Sequence, residues 1–163
     1  MKQEDEVFGI LNKAVMPDEI EWRVQSQTKD KTKLIIVPYI NNRCVMERFD
    51  FAFGNANWNS SFLEVTDGFL CTITATVGDK TVSRTDGANK TSIEALKGGI
   101  SDSMKRTAVQ FGVGRCLYKY PKVMVETQDK YIPNWVYSRL DKMVTVINNG
   151  GFDRNFVILK EDQ

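Results

Sequence analysis

The stretch WNSSFLEVTDGFLCTITATVGDKTVSRT, residues 58–85, decides the fold of this chain. Apolar and polar residues alternate along it with a period of two, which is typical of half-buried β-strands. The dipeptides Asp67-Gly68 and Gly78-Asp79 interrupt the alternation, and such pairs favour the tight turns of hairpins. The stretch therefore predicts a three-stranded antiparallel meander with strands at 58–65, 69–77 and 81–85.

Downstream of the meander, residues 91–111 predict one long helix. Gly98-Gly99 lies inside it, and each glycine costs about 1 kcal/mol relative to alanine, so we expect close packing at that point. A last helix begins at Pro133, which suits a first helical turn, and ends before the run 148–151. The apolar face of the long helix consists of Ile93, Leu96, Ile100, Met104, Ala108 and Phe111, and that of the last helix of Val136, Leu140, Val144 and Ile147.

Upstream of the meander, the pattern changes from helix to strand and back. Residues 5–15 predict a short helix with Phe8, Leu11 and Val15 on one face, ended by Pro17. A hairpin follows, because alternation from Ile20 and an apolar run at 34–40 flank a polar turn. Residues 43–53 predict another helix, closed by Gly54-Asn55.

These elements predict the α+β class. The expected architecture is a small antiparallel β-sheet, made of the hairpin and the meander, packed on one long helix with flanking helices. The 163 residues, 42% of them hydrophobic, are enough for one domain with its own core. We expect a single domain over residues 1–151 and a loosely held tail over 152–163.

The composition excludes several kinds of site. Histidine is absent, which removes Ser-His-Asp and Cys-His catalysis and every zinc site that uses imidazole. Cys44, Cys71 and Cys116 include no C-x-x-C pair, so we expect buried thiols in a reducing cytoplasm. The first six residues carry three acids and no long apolar run follows, so we expect neither a leader nor an anchor, and no membrane partner.

The sequence also contains no complete enzyme motif. The G-x-G at 112–114 follows a helix instead of a strand, and residues 87–91 lack the spacing of a triphosphate-binding loop. Asp18 could be the first residue of a metal-dependent nuclease motif, which needs clustered carboxylates and a nearby lysine. No Asp or Glu in the chain is followed two positions later by Lys, so the motif is incomplete. We therefore expect no catalytic residue, no cofactor and no metal.

Charge is concentrated in one segment of a chain whose net charge is only +1. Residues 80–122 hold nine Lys or Arg against three acids, a net of +6, and the other residues sum to −5. On the long helix, Lys97, Ser101 and Lys105 recur every four residues, with Arg106 alongside. Such a stripe suits phosphate oxygens, but it is also what an ordinary solvated helix face looks like.

The stretch ALKGGISDSMKRTAVQFGVGRCLY, residues 95–118, resembles the signature of phage single-strand annealing proteins of the Sak type. These proteins are relatives of the N-terminal domain of the eukaryotic Rad52 recombination protein. FGNANW at 53–58 and DEIEWR at 18–23 are similar to other parts of the family pattern, so the resemblance spans about residues 18–122. Val109 departs from it, because the eukaryotic helix has a further arginine there.

The resemblance implies an oligomeric ring that binds single-stranded DNA in an outer basic groove. It implies annealing of complementary strands without ATP, in phage homologous recombination inside a bacterial host cell, with a phage exonuclease or a host single-strand-binding protein as possible partners. Lys105 and Arg106 would then be the main phosphate contacts, with Lys97 and Arg23 as contributors. Arg23 alternates away from its apolar neighbours on the predicted strand. Arg115 is a further candidate, although beside two glycines it could instead bind carbonyls at the helix end.

Two other functions remain open at this point. One is a metal-dependent nuclease of phage DNA metabolism. The other is a protein that coats and protects single strands without pairing them.

Overall fold

The predicted meander is present in the computed structural model of the protein, which describes residues 2–90 and 94–161. Its strands are β3 (Trp58–Val65), β4 (Gly68–Val77) and β5 (Lys80–Asn89), hydrogen-bonded in that order and antiparallel throughout. The second turn falls at the predicted Gly78-Asp79, whereas the first lies at Thr66-Asp67, one residue earlier than predicted, because Gly68 already pairs with Val65. The α+β class is confirmed, and the strands are divided between two sheets instead of one.

The chain forms two compact units, and the meander belongs to the first, built from Met1–Lys13 and Ile40–Arg115. This unit also contains the helices α1 (Glu4–Leu11), α2 (Asn42–Phe53) and α3 (Ala95–Phe111). Helix α2 begins where the Asn41 side chain accepts a hydrogen bond from the Cys44 N–H, and it ends at Gly54, whose φ is +83°. Phe49 is buried between the rings of Trp58 and Phe111, at centroid distances of 5.1 and 5.2 Å.

Helix α3 packs across β4 and β5 through small residues. A Cβ added to Gly99 would lie 2.5 Å from Cδ2 of Phe69, so only glycine allows this approach. Thr107 is buried, and its hydroxyl lies 3.0 Å from the Cys71 carbonyl oxygen of β4 and 2.8 Å from that of Ser103. The close packing expected at the glycine pair is therefore present.

The predicted apolar faces need two corrections. Leu96 is 61% exposed, whereas Met104, Ala108 and Phe111 of the same predicted face are buried; Ile93 lies outside the described residues. The contact with the sheet runs instead through small and hydroxyl-bearing residues, which a count of apolar residues does not weigh. In α1, Phe8 is also exposed, because Val7 and Leu11 supply the buried face and the helix ends at Leu11.

The second unit consists of Ala14–Tyr39 and Cys116–Gln163. Its mixed sheet has the order β1-β2-β6-β7, formed by β1 (Ile20–Gln27), β2 (Lys33–Ile40), β6 (Lys122–Glu126) and β7 (Phe156–Leu159). The predicted hairpin supplies β1 and β2. Strand β6 pairs antiparallel with β2 and parallel with β7, so the segment predicted as a tail contains a strand.

Helix α4 (Asn134–Asn148) completes the second unit, and Val136, Leu140 and Val144 on it are buried as predicted. The Asn148 side chain donates to the Val15 carbonyl oxygen at 2.9 Å. The three cysteines are free thiols, and Cys44 and Cys71 are buried. Among the described residues, no helix has the length and apolar content needed to span a bilayer.

Candidate nucleic-acid interface

Lys105 and Arg106, the two main predicted contacts, are neighbours on α3 but have different surroundings. The Lys105 ammonium lies 2.8 Å from Oδ1 of Asp102, one turn earlier on the helix, and its side chain is half-buried. The Arg106 guanidinium reaches across to β5, where its Nε and Nη2 both donate to Oδ1 of Asp86 at 3.1 Å. Arg106 remains 54% exposed, so its outer edge is open to solvent.

Asp86 organises this part of the surface. Its carboxylate also accepts from the Gly87 N–H at 2.7 Å and from Nε2 of Gln110 at 3.4 Å. Burial alone would raise the pKa of Asp86, but the hydrogen bonds from Gly87, Arg106 and Gln110, together with the arginine charge, lower it overall. Asp86 is therefore a carboxylate at neutral pH, and it fixes the direction of the Arg106 guanidinium.

Lys97 lies two helical turns before Lys105 and is paired in the same way. Its ammonium lies 3.2 Å from Oε2 of Glu94, and its side chain is 79% exposed. All three predicted cations of α3 thus have a carboxylate neighbour. The Lys97 pair with Glu94 is exposed on both sides, and ion pairs of this kind contribute only about 0–1 kcal/mol.

Arg115 binds carbonyl oxygens at the end of α3, which is the alternative that its neighbouring glycines suggested. Its Nε and Nη2 donate to the Val109 carbonyl oxygen at 3.0 and 2.9 Å, and Nη2 also donates to that of Gln110 at 2.9 Å. These carbonyls belong to the last turn of α3, where a helix leaves acceptors unused, and that of Val109 also accepts from the Gly112 N–H at 3.0 Å. Arg115 therefore closes the helix end, and a contact between Arg115 and DNA stays a prediction.

Arg23 lies on β1 in the second unit. It is exposed while Ile20 and Trp22 are buried, as the alternation predicted. Its guanidinium carbon lies 5.6 Å from the ring centroid of Tyr39. A hydrogen bond with Glu21 and burial raise the pKa of Tyr39 to about 12, so the tyrosine stays neutral. That Arg23 shares a groove with the cations of α3 stays a prediction.

The sequence analysis did not single out Arg84 and counted it only within the basic segment. It is exposed on β5, two positions before Asp86, so the two side chains leave the strand on the same face. Its guanidinium carbon lies 6.0 Å from the ring centroid of Phe111, and Nη1 donates to the Ser83 carbonyl oxygen at 3.0 Å. The period of two along β5 was the signal that could have placed it beside Asp86.

The opposite face of the meander is uncharged. There, threonine and serine hydroxyls of β4 and β5 bind each other in three cross-strand pairs at 2.7–3.1 Å: Thr72 with Thr85, Thr74 with Ser83, and Thr76 with Thr81. Among the residues that the structure describes, no group of three or more Cys, Asp or Glu side chains is placed to hold a metal ion.

Comparison with known proteins identifies the family. The model of the Rad52/22 family, described as double-strand break repair proteins, matches residues 3–71 and 63–136. The chain therefore belongs to the Rad52/22 family.

Two similar relatives are each described as single-stranded DNA-binding protein DdrA. The protein from Deinococcus deserti is 34% identical over 112 residues, covering 68% of this chain and 55% of the relative. The protein from Deinococcus radiodurans is 30% identical over 112 residues, covering 68% of this chain and 53% of the relative. The chain thus spans about half the length of the curated relatives it matches.

Proposed function

We propose that this protein binds single-stranded DNA and anneals complementary strands without ATP. The observation that carries the proposal is the adjacent pair Lys105 and Arg106 on α3 of a Rad52/22 family chain, with Arg106 held by a charged Asp86. The names of the DdrA relatives, which are called single-stranded DNA-binding proteins, support the choice of ligand.

The proposed mechanism uses the cations for the DNA backbone and leaves the bases free. Phosphates replace Asp102 and Glu94 beside the two lysines of α3, while Arg106 binds through the edge that Asp86 does not occupy. With the phosphates against the protein, the bases point outward and can pair with a second strand. Base pairing drives the reaction, so the process needs neither hydrolysis nor a metal.

The proposal includes an oligomeric ring. A chain of net charge +1 offers few cations, and single-strand affinity grows with the number of phosphates neutralised, so repeated copies would build a continuous track. Strand β3 lies at an edge of the meander and exposes Phe62, Leu63 and Val65. Exposed edge strands favour pairing with another chain, which supports assembly through this unit.

For the biological setting, we propose phage homologous recombination in the cytoplasm of a bacterial host, as the Sak-type resemblance implies. A phage exonuclease would supply the single strands, and a host single-strand-binding protein would compete for them. A second candidate function is coating of single strands without annealing, which the name of the DdrA relatives favours.

One experiment separates these functions. Complementary fluorescent oligonucleotides are mixed with the protein in EDTA without ATP, and duplex formation is followed over time. Annealing predicts faster duplex formation than with DNA alone, whereas a coating protein binds each strand and slows pairing. Cleavage that appears only when magnesium is restored would instead indicate a nuclease. Light scattering on the same sample checks for an assembly much larger than a dimer.

A further inference from the structure

Arg84 differs from the other cations of the α3 and β5 surface in its charge pairing within the described part of the chain. Among the described residues, no carboxylate forms an ion pair with it, whereas Lys97, Lys105 and Arg106 each have one. We propose that Arg84 is a DNA phosphate contact, which extends the binding surface from α3 onto the edge strand β5. This inference rests on the proposed function.

The first argument is electrostatic. A phosphate that binds Lys105 or Arg106 meets a carboxylate already within 3.1 Å of the cation, and it must displace that group or share the cation with it. At Arg84 a phosphate has no ion pair with a described carboxylate to break. The guanidinium can therefore bind a phosphodiester without first losing a paired carboxylate.

The second argument is preorganisation. The guanidinium of Arg84 lies over the ring of Phe111, which is 92% buried and held by its contacts with Phe49 and Phe53. Only Nη1 is used within the described part of the chain, for the Ser83 carbonyl oxygen. A cation that is already seated on a rigid ring loses less conformational freedom when a phosphate binds.

The third argument is placement. Arg84 and Asp86 are two residues apart on β5, about 7 Å along the strand, and leave it on the same face. Asp86 holds the Arg106 guanidinium on that face by two hydrogen bonds. Arg84 and Arg106 therefore flank one carboxylate, and a sugar-phosphate backbone running along β5 would contact both.

The variant test compares Arg84→Gln with Arg43→Gln. Arg43 is an exposed arginine of the first turn of α2, so both changes remove one positive charge from the same unit. The affinity for a fluorescent oligothymidylate is measured in EDTA at several salt concentrations. We expect Arg84→Gln to weaken binding and to lower the salt slope by about 0.7 per subunit engaged, with Arg43→Gln close to the parent protein. Equal losses in both variants, or no loss in either, overturn the inference.

A second test needs no variant and therefore does not depend on how Arg84→Gln folds. The parent protein is treated with phenylglyoxal, which modifies accessible arginines, with and without the oligonucleotide, and the modified residues are identified by mass spectrometry. We expect Arg84 to react in free protein and to be protected by DNA, while Arg43 reacts in both. An Arg84 that is unreactive before DNA is added would lie inside a subunit interface, which overturns the inference.

These tests separate the inference from the proposed function. If the parent protein binds the oligonucleotide but Arg84 is neither protected nor required, only the inference fails. If the parent protein does not bind single strands at any salt concentration, the proposed function and the inference about Arg84 both fail.

Discussion

The two faces of the meander sheet differ in burial and in charge. The face toward α3 carries the buried residues of β4 together with every charged group of the Asp86 cluster, namely Asp86, Arg84 and Arg106. The open face carries hydroxyls that bind each other across β4 and β5. Charge is thus confined to the helix side, where one carboxylate both joins α3 to β5 and directs a cation. Substitutions on the two faces should therefore have unequal consequences.

The largest effect on stability is expected at Gly99, where α3 approaches the sheet most closely. Gly99→Val places its Cβ 2.5 Å from the buried Phe69 ring, and we expect the free energy of unfolding to fall by about 2–3 kcal/mol. Chemical denaturation measures the change. Gly9→Ala in α1 is the control, because no atom lies within 4 Å of the added Cβ, and it should be neutral or stabilising by up to about 1 kcal/mol. Equal stability of Gly99→Val and the parent protein would contradict this view of the packing.

The largest effect on DNA binding is expected from Lys105→Ala combined with Arg106→Ala. Removal of two phosphate contacts should lower the salt slope of single-strand binding by about 1.4 per subunit engaged and slow annealing. Thr72→Ala combined with Thr74→Ala on the open face is the matched control, and it should leave both quantities unchanged. Circular dichroism and light scattering confirm that both proteins fold and assemble. An unchanged slope in the lysine-arginine variant would show that the basic stripe is only a solvated helix face.

An intermediate effect is expected from one substitution made on each side of the sheet. Thr107→Val preserves shape but removes the buried hydroxyl that donates to β4, which should cost about 1 kcal/mol of unfolding free energy. Thr74→Val removes an exposed hydroxyl whose partner, Ser83, can bind water, and valine suits strands, so the change should stay within about 0.5 kcal/mol. Urea denaturation of both variants tests the difference, and equal costs would mean that the hydroxyl pairs of the open face also carry stability.

Local signals explain which parts of the fold could be predicted. The meander and α2 depend on alternation, turn dipeptides and a terminal glycine, all of which lie within a few residues of the structure they specify. Strands β6 and β7 are five and four residues long, and about thirty residues separate them in the sequence although they pair in parallel. No local sequence pattern therefore predicts them. Leu96 was placed wrongly for a related reason, because the contact of α3 with β4 depends on the position of Phe69, which is distant in sequence.

In the candidate site, too, some residues could be predicted from local sequence and others could not. Lys105 and Arg106 were predicted because they lie in the stretch that resembles the annealing proteins, and both are on α3 as expected. The role of Asp86 and the position of Arg84 beside it require the pairing of α3 with β5, which brings residues about twenty positions apart into contact. In the sequence, Asp86 only reduces the net positive charge of the basic segment. In the fold, its carboxylate orients the Arg106 guanidinium.

The smallest effect is expected from Asp86→Asn, and its pH dependence tests whether that orientation is electrostatic. The folded protein lowers the pKa of Asp86 below its usual 3.8, so the ionised carboxylate stabilises the fold above that pH, and the contribution is lost as the pH falls through the folded pKa. The stability difference between the parent protein and Asp86→Asn should therefore be complete at pH 7 and shrink below about pH 3.8. Asp30→Asn is the control: Thr28 and Thr32 hold the pKa of Asp30 at about 2, and its variant should show a similar acid dependence without any effect on DNA binding.

In Asp86→Asn the charge of Arg106 remains but its direction is lost, so we expect weaker single-strand binding with an unchanged salt slope. A stability difference that is the same at pH 7 and pH 3 would mean that Asp86 acts through its shape and hydrogen bonds alone.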